Sequence, residues 1–150
     1  MNYLLLTAAA ASLSLASVAA RAEPYVDYTP AKGLWHIQTI KVDPNHIDDY
    51  IVGLKKTWLP GEQIAKKHGL IDQYSIQIKL NSADGRGNVV LIEHIPDIAL
   101  MEPNQARDQG IEKEVYAAMP KSDMDTKVKG FEAYRTFVGD DYYSEVTFPK

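Results

Sequence analysis

From Leu34 onward the chain switches between two hydrophobic rhythms, one with a period of two residues and one with steps of three and four. "LWHIQTIKV", Leu34 to Val42, keeps the two-residue rhythm and predicts a β-strand, yet it sets His36 and Gln38 on the same side as Leu34 and Ile40. The rhythm changes at Asp43-Pro44. Asp43 can accept from the free N–H groups of a first helical turn, and Pro44 has no N–H to leave unpaired there. Asp48 and Asp49 favour the positive end of the helix dipole. Ile47, Tyr50, Ile51, Leu54 and Trp58 then recur at helical steps. Pro60 predicts a kink or a division into two tandem helices, and Gly69, after Lys66, Lys67 and His68, predicts the stop.

"QYSIQIKL" alternates cleanly, with Tyr74, Ile76, Ile78 and Leu80 on one face and Ser75, Gln77 and Lys79 on the other. "NSADGRGN" is rich in residues that accept positive φ and predicts a hairpin loop, after which "VVLIEHI" returns as an apolar strand. Asn104 can cap a helix through about Met119, and Pro120 breaks it. A further helix is expected from Ser122 or Asp123 through Phe137, ended by Gly139, with "YYSEVTF" as the last strand. The order β-α-β-β-α-β predicts an α+β fold of the split βαβ, ferredoxin-like kind. Its four-stranded antiparallel sheet carries helices on one face. One domain is expected over 33–150, preceded by an extended lead-in over 23–32.

The segment before it has another character. Tyr3 to Ala20 is apolar and uncharged, and Ala20-Arg21-Ala22 has the small-x-small pattern that signal peptidase cuts. Cleavage between Ala22 and Glu23 is expected, giving an exported, periplasmic or secreted protein with no stable membrane association. The run is also nearly long enough for an uncleaved anchor, but Ala and Ser dominate it and contribute little transfer free energy. Arg21 is the only charged residue it removes, so the formal charge moves from -4 to -5. A mildly acidic domain without a basic stripe offers no footprint for nucleic acid. The absence of cysteine closes off disulfides, thiolate chemistry and Cys-based metal sites.

With its element order, the strand-to-helix entry "KVDPNHIDDYIVGLKKTW" and the terminal "EVTF" strand, the chain resembles the dimeric α+β-barrel superfamily over Leu34 to Phe148. That superfamily includes antibiotic-biosynthesis monooxygenases and muconolactone-isomerase-like proteins. The resemblance implies a homodimer in which two sheets face each other and enclose a barrel. Ser75, Gln77 and Lys79 would then point into the barrel or its rim, with Tyr74, Ile76 and Ile78 under the helices. His36, Gln38 and either Glu93 or His94 would add polar groups to the chamber. Both sides of Leu34–Val42 and of Val89–Ile95 are apolar enough to face the helices, so either parity is open.

Two histidines, His36 and His94, are the candidates for acid–base work, since imidazole titrates near neutrality. The simpler account of each is an interior histidine held by one carbonyl or carboxylate, since a strand histidine needs only one such partner. Gln38, Tyr50, Trp58, Tyr74 and Gln77 are the candidate ligand contacts; the aromatic ones could line a slot for a planar molecule or simply fill the core. His46 and Asp49, three apart, could pair on a metal, but no H-E-x-x-H or H-x-x-E-H pattern accompanies them and no metal is expected. No C-x-x-C-H motif attaches a haem, no G-x-S-x-G presents a nucleophile, and no cofactor is expected. The expected function is binding of a small apolar or aromatic molecule by a homodimer. The alternatives are a cofactor-independent oxygenase, isomerase or lyase with a histidine acid/base, and a non-catalytic structural or interaction module.

Overall fold

The computed structural model describes residues 21–80 and 86–150. The apolar run Tyr3 to Ala20 and most of the hairpin loop lie outside the described residues, while Ala22 and Glu23 are exposed at the start of the lead-in. That lead-in is tied down: β1 (Thr29–Pro30) pairs antiparallel with β6 (Val146–Thr147) near the other end of the chain. The main sheet consists of β2 (Leu34–Val42), β3 (Gln73–Ile78), β4 (Val89–Ile95) and β5 (Arg135–Tyr143). Its strands are all antiparallel in the order β3-β4-β2-β5. This is the expected α+β architecture.

The helical punctuation follows local chemistry. The Asp43 carboxylate accepts from the Asn45 N–H at 2.9 Å and opens a single 3-10 turn, Pro44–His46. That turn leads into α1 (Ile47–Thr57). Pro60 divides the long apolar stripe, and α2 (Leu59–Lys67) follows after Trp58. Gly69 adopts φ 72°, and the N–H groups of Gly69 and Leu70 return to the carbonyls of Lys66 and Ala65, closing the helix with the paired bonds of a left-handed stop. The Asn104 side chain caps α3 (Gln105–Ala118) through the Arg107 N–H, and Pro120 separates α3 from α4 (Lys121–Phe131).

One expectation is overturned here. The last helix stops at Phe131, and Arg135 to Val138 belong to β5. Gly139 lies inside that strand, opposite Thr39, and "EVTF" supplies only the short β6. The three-residue spacing of Phe131, Tyr134 and Phe137 mimics a helix. Pairing along β2 instead draws the β-branched and aromatic stretch Thr136-Phe137-Val138 into the sheet.

Ile40, Val42, Val89 and Leu91 from the sheet, Tyr50 and Leu54 from α1, and Phe131 from α4 form the buried core. The Phe131 ring comes this close only because residue 53 is glycine; a Cβ there would lie 2.5 Å from the ring. At the corner of β2, the Asn88 side chain substitutes for a strand neighbour, giving and taking a 2.8 Å hydrogen bond with the backbone of Val42.

Because Ile40 and Val42 are core residues, the even-numbered positions of β2 face the helices. The register pairs His36 with Glu93 and Trp35 with His94. The two candidate histidines therefore stand on opposite faces of the sheet. In β5, Val138 is an extra residue: Thr39 pairs with Gly139 and Ile40 with Phe137. This bulge resets the alternation, so that Arg135 and Phe137 on one side of it and Asp140 and Tyr142 on the other all face the helices.

Candidate functional site

Successive cross-strand rows line the helix-facing side of the sheet. Ile78, Val89, Ile40 and Phe137 make the first, Ile76, Leu91, Gln38 and Asp140 the second, and Tyr74, Glu93, His36 and Tyr142 the third. Over the first two rows, Tyr50, Leu54, Thr57 and Trp58 come down from α1 and its end, and Val128 and Phe131 from α4. Between them lies a cleft of about 150 Å³, which Gln38, Leu91, Arg135 and Phe137 also line. Three of the sequence candidates, Gln38, Tyr50 and Trp58, thus meet around one space, and Tyr74 supports it edge-on through the Trp58 ring at 5.9 Å.

The third row carries acid–base chemistry. His36 Nε2 lies 2.6 Å from Asp140 Oδ1, and His36 Nδ1 lies 3.6 Å from Glu93 Oε1. Tyr142 stacks on the imidazole at 4.5 Å with 7° between the planes. Glu62, one turn beyond Trp58 on α2, is only 9% exposed, and its Oε2 has no hydrogen-bond partner. Burial, aided by the neighbouring charge of Glu93, pushes the Glu62 carboxyl up to about 8. Glu93 is raised as well, first by burial; His36 pulls against the shift and Asp140 adds to it. Near neutral pH the buried Glu62 carboxyl is therefore held in its protonated form, beside a row in which the His36 imidazole lies between Glu93 and Asp140.

The remaining candidates lie elsewhere. His94 and Gln77 occupy the helix-free face, where Gln77 is exposed opposite Val90. His94 packs on Trp35 at 4.6 Å and binds Asp72 through Nδ1 at 2.6 Å. A single chamber holding His36, Gln38 and His94 is ruled out by the register, which offsets the two imidazoles by one residue across β2 and β4. His46 pairs with Asp49 at 3.1 Å and stacks on Tyr134, while His68 pairs with Glu114, which also takes Lys67. Among the described residues no cluster of three or more His, Asp or Glu side chains could hold a metal ion.

Glu62, Asp140 and Arg135 escape the sequence reading, and Glu93 enters it only as an alternative to His94. Glu62 looks like an ordinary acid in the first turn of a helix. Asp140 and Arg135 acquire their places from the bulge.

No protein-family model matches the chain, and no curated protein matches it in sequence. Solved structures do resemble it in shape. HapK from Hahella chejuensis is 13% identical, with 75% of this chain and 91% of that one covered and a TM-score of 0.44. A protein of Shewanella oneidensis is also 13% identical, over 80% and 98% of the two chains, with a TM-score of 0.49. A dimeric ferredoxin-like protein from an uncultured marine organism is 10% identical, over 79% and 89%, at a TM-score of 0.43. Likeness at this level concerns the fold alone, and the ferredoxin-like assignment rests on the strand order and pairing described above. The monooxygenase side of the sequence resemblance gains no support from these three.

Proposed function

We propose that the protein binds a small, single-ring aromatic or apolar molecule in the cleft between sheet and helices. The observation that carries this reading is the cleft itself: about 150 Å³, walled by Tyr50, Trp58, Phe131 and Phe137, with few polar groups. A void of that size in an apolar lining accommodates a benzene-sized guest. Trp58 reports on it directly. The chain has two tryptophans, and Trp35 stands on the other face of the sheet. In a Trp35→Phe variant, titration with phenol or toluene is expected to quench or shift the remaining indole emission saturably. An unchanged spectrum up to the solubility limit would remove the cleft as a binding site.

Catalysis is the second reading, favoured by the His36 imidazole between Glu93 and Asp140 with the buried Glu62 beside them. A phenolic or activated-carbon ligand that extended from the cleft past Gln38 would meet that row and exchange a proton with it. In the same titration such chemistry would appear as turnover lost in His36→Ala; a ligand recovered intact leaves binding alone.

The helix-free face supports self-association. Trp35, Ile37, Val90 and Ile92 form a half-buried apolar strip there, and no helix of the described residues covers it. Pairing of two copies through this strip would place Gln77, Ser75 and His94 between the sheets. The native mass of the wild type is expected to be that of a dimer and that of Ile37→Glu to be that of a monomer. A wild type that stays single at micromolar concentration refutes pairing. The uncharged run Tyr3 to Ala20 and the Ala20-Arg21-Ala22 pattern support export of this domain.

A further inference from the structure

We propose that the cleft selects a single-ring aromatic carboxylate, with Arg135 as the group that reads the acid; this deepens the reading of the cleft as a ligand site and rests on it. Arg135 opens β5, opposite Val42. Its guanidinium carbon lies 5.5 Å from the Tyr50 ring centre, 5.0 Å from Phe131 and 4.9 Å from Phe137. One N–H donates to the Tyr50 hydroxyl at 3.1 Å. Among the described residues it is the only charged side chain on the cleft lining, and no carboxylate lies within ion-pair distance of it.

Three aromatic faces compensate part of the desolvation of this cation, but they satisfy none of its remaining N–H donors. A guanidinium has five such donors in a planar fork that matches a carboxylate with two parallel bonds. The Gln38 amide on the same lining supplies a second, neutral polar contact. The volume admits one ring, which would sit against Tyr50, Trp58 and Leu91 with its acid group turned to Arg135. A planar monoanion suits the place better than a phosphate ester, because the second charge of a dianion would have to be desolvated against a mostly apolar wall. The overall formal charge of -4 gives anions no general attraction to the protein, so any preference for the acid must come from this local cation.

The test compares benzoate, its neutral isostere benzamide, and toluene by calorimetric titration of the full chain and of Arg135→Gln and Arg135→Lys. Wild type is expected to bind benzoate about tenfold or more tightly over benzamide, the scale of one charge-assisted pair. Arg135→Gln should lose that preference while still binding toluene, and Arg135→Lys should keep part of it even if the glutamine variant fails to fold. Equal affinity for benzoate and benzamide in wild type overturns the role of Arg135 and leaves the cleft standing. A benzoate preference that persists in Arg135→Gln does the same. Binding of none of the three overturns the cleft and the selection together.

Discussion

Replacing Glu62 with glutamine is expected to stabilise the protein at pH 9 by on the order of 4 kcal/mol relative to the effect of the same substitution at pH 5. The sign follows from proton counting. Burial raises the folded-state carboxyl from 4.5 to about 8, so between those values the folded chain holds a proton that the unfolded chain has released. Stability is greatest below the unfolded value and falls as pH rises through the folded one, where an uncompensated carboxylate is forced into a site with no partner for Oε2. Glutamine carries no charge to desolvate at any pH, and its fixed cost in amide hydrogen bonding cancels in the comparison. Urea melts at several pH values measure it. Wild type should lose stability steadily from pH 5 to 9, and Glu62→Gln should show only the shallower slope left by Glu93, which is shifted in the same direction. Parallel slopes in the two proteins would mean that Glu62 is solvated in solution.

The second large effect is on packing. Phe131→Ala is expected to cost about 3–5 kcal/mol and to lower the denaturant midpoint accordingly. The ring is 6% exposed, meets Tyr50 edge-on at 5.1 Å and carries the Arg135 guanidinium on its face. Its removal leaves a hole beside Gly53, which has no side chain to fill it. The same change widens the cleft, so a surviving fold should gain affinity for two-ring compounds relative to one-ring compounds. A loss below 1 kcal/mol would show that α4 does not seat this ring in the core.

The architecture was readable from the sequence because β2, β3 and β4 alternate and because Asp43, Asn104 and Gly69 mark helix ends with local chemistry that needs no tertiary context. The end of α4 was not. Phe131, Tyr134 and Phe137 keep a helical spacing, and only pairing with β2 distinguishes a helix, a turn and a strand in turn. The candidate site is half visible: Gln38, Tyr50, Trp58 and His36 stand out in the sequence, but the register that sends His36 to Glu93 and His94 to Trp35 is set by long-range pairing of β2 with β4, which no local feature of either strand reveals. Had β4 paired one residue over, both imidazoles would share a face. Glu62 was hidden for a related reason, since nothing in "LPGEQIAKK" says which side of α2 lies on the sheet.

Val138 makes the two halves of β5 answer to different counts. Excising that one residue would restore strict alternation and leave both ends on the helix side, because Phe137, Gly139 and Asp140 already oppose Ile40, Thr39 and Gln38 one for one. Drawing Val138 into the ladder would instead turn one end of the strand over: either Arg135 and Phe137 would leave the cleft, or Asp140 and Tyr142 would abandon His36. The recognition half and the proton-handling half of this face thus share a side only while a single residue stays out of the pairing.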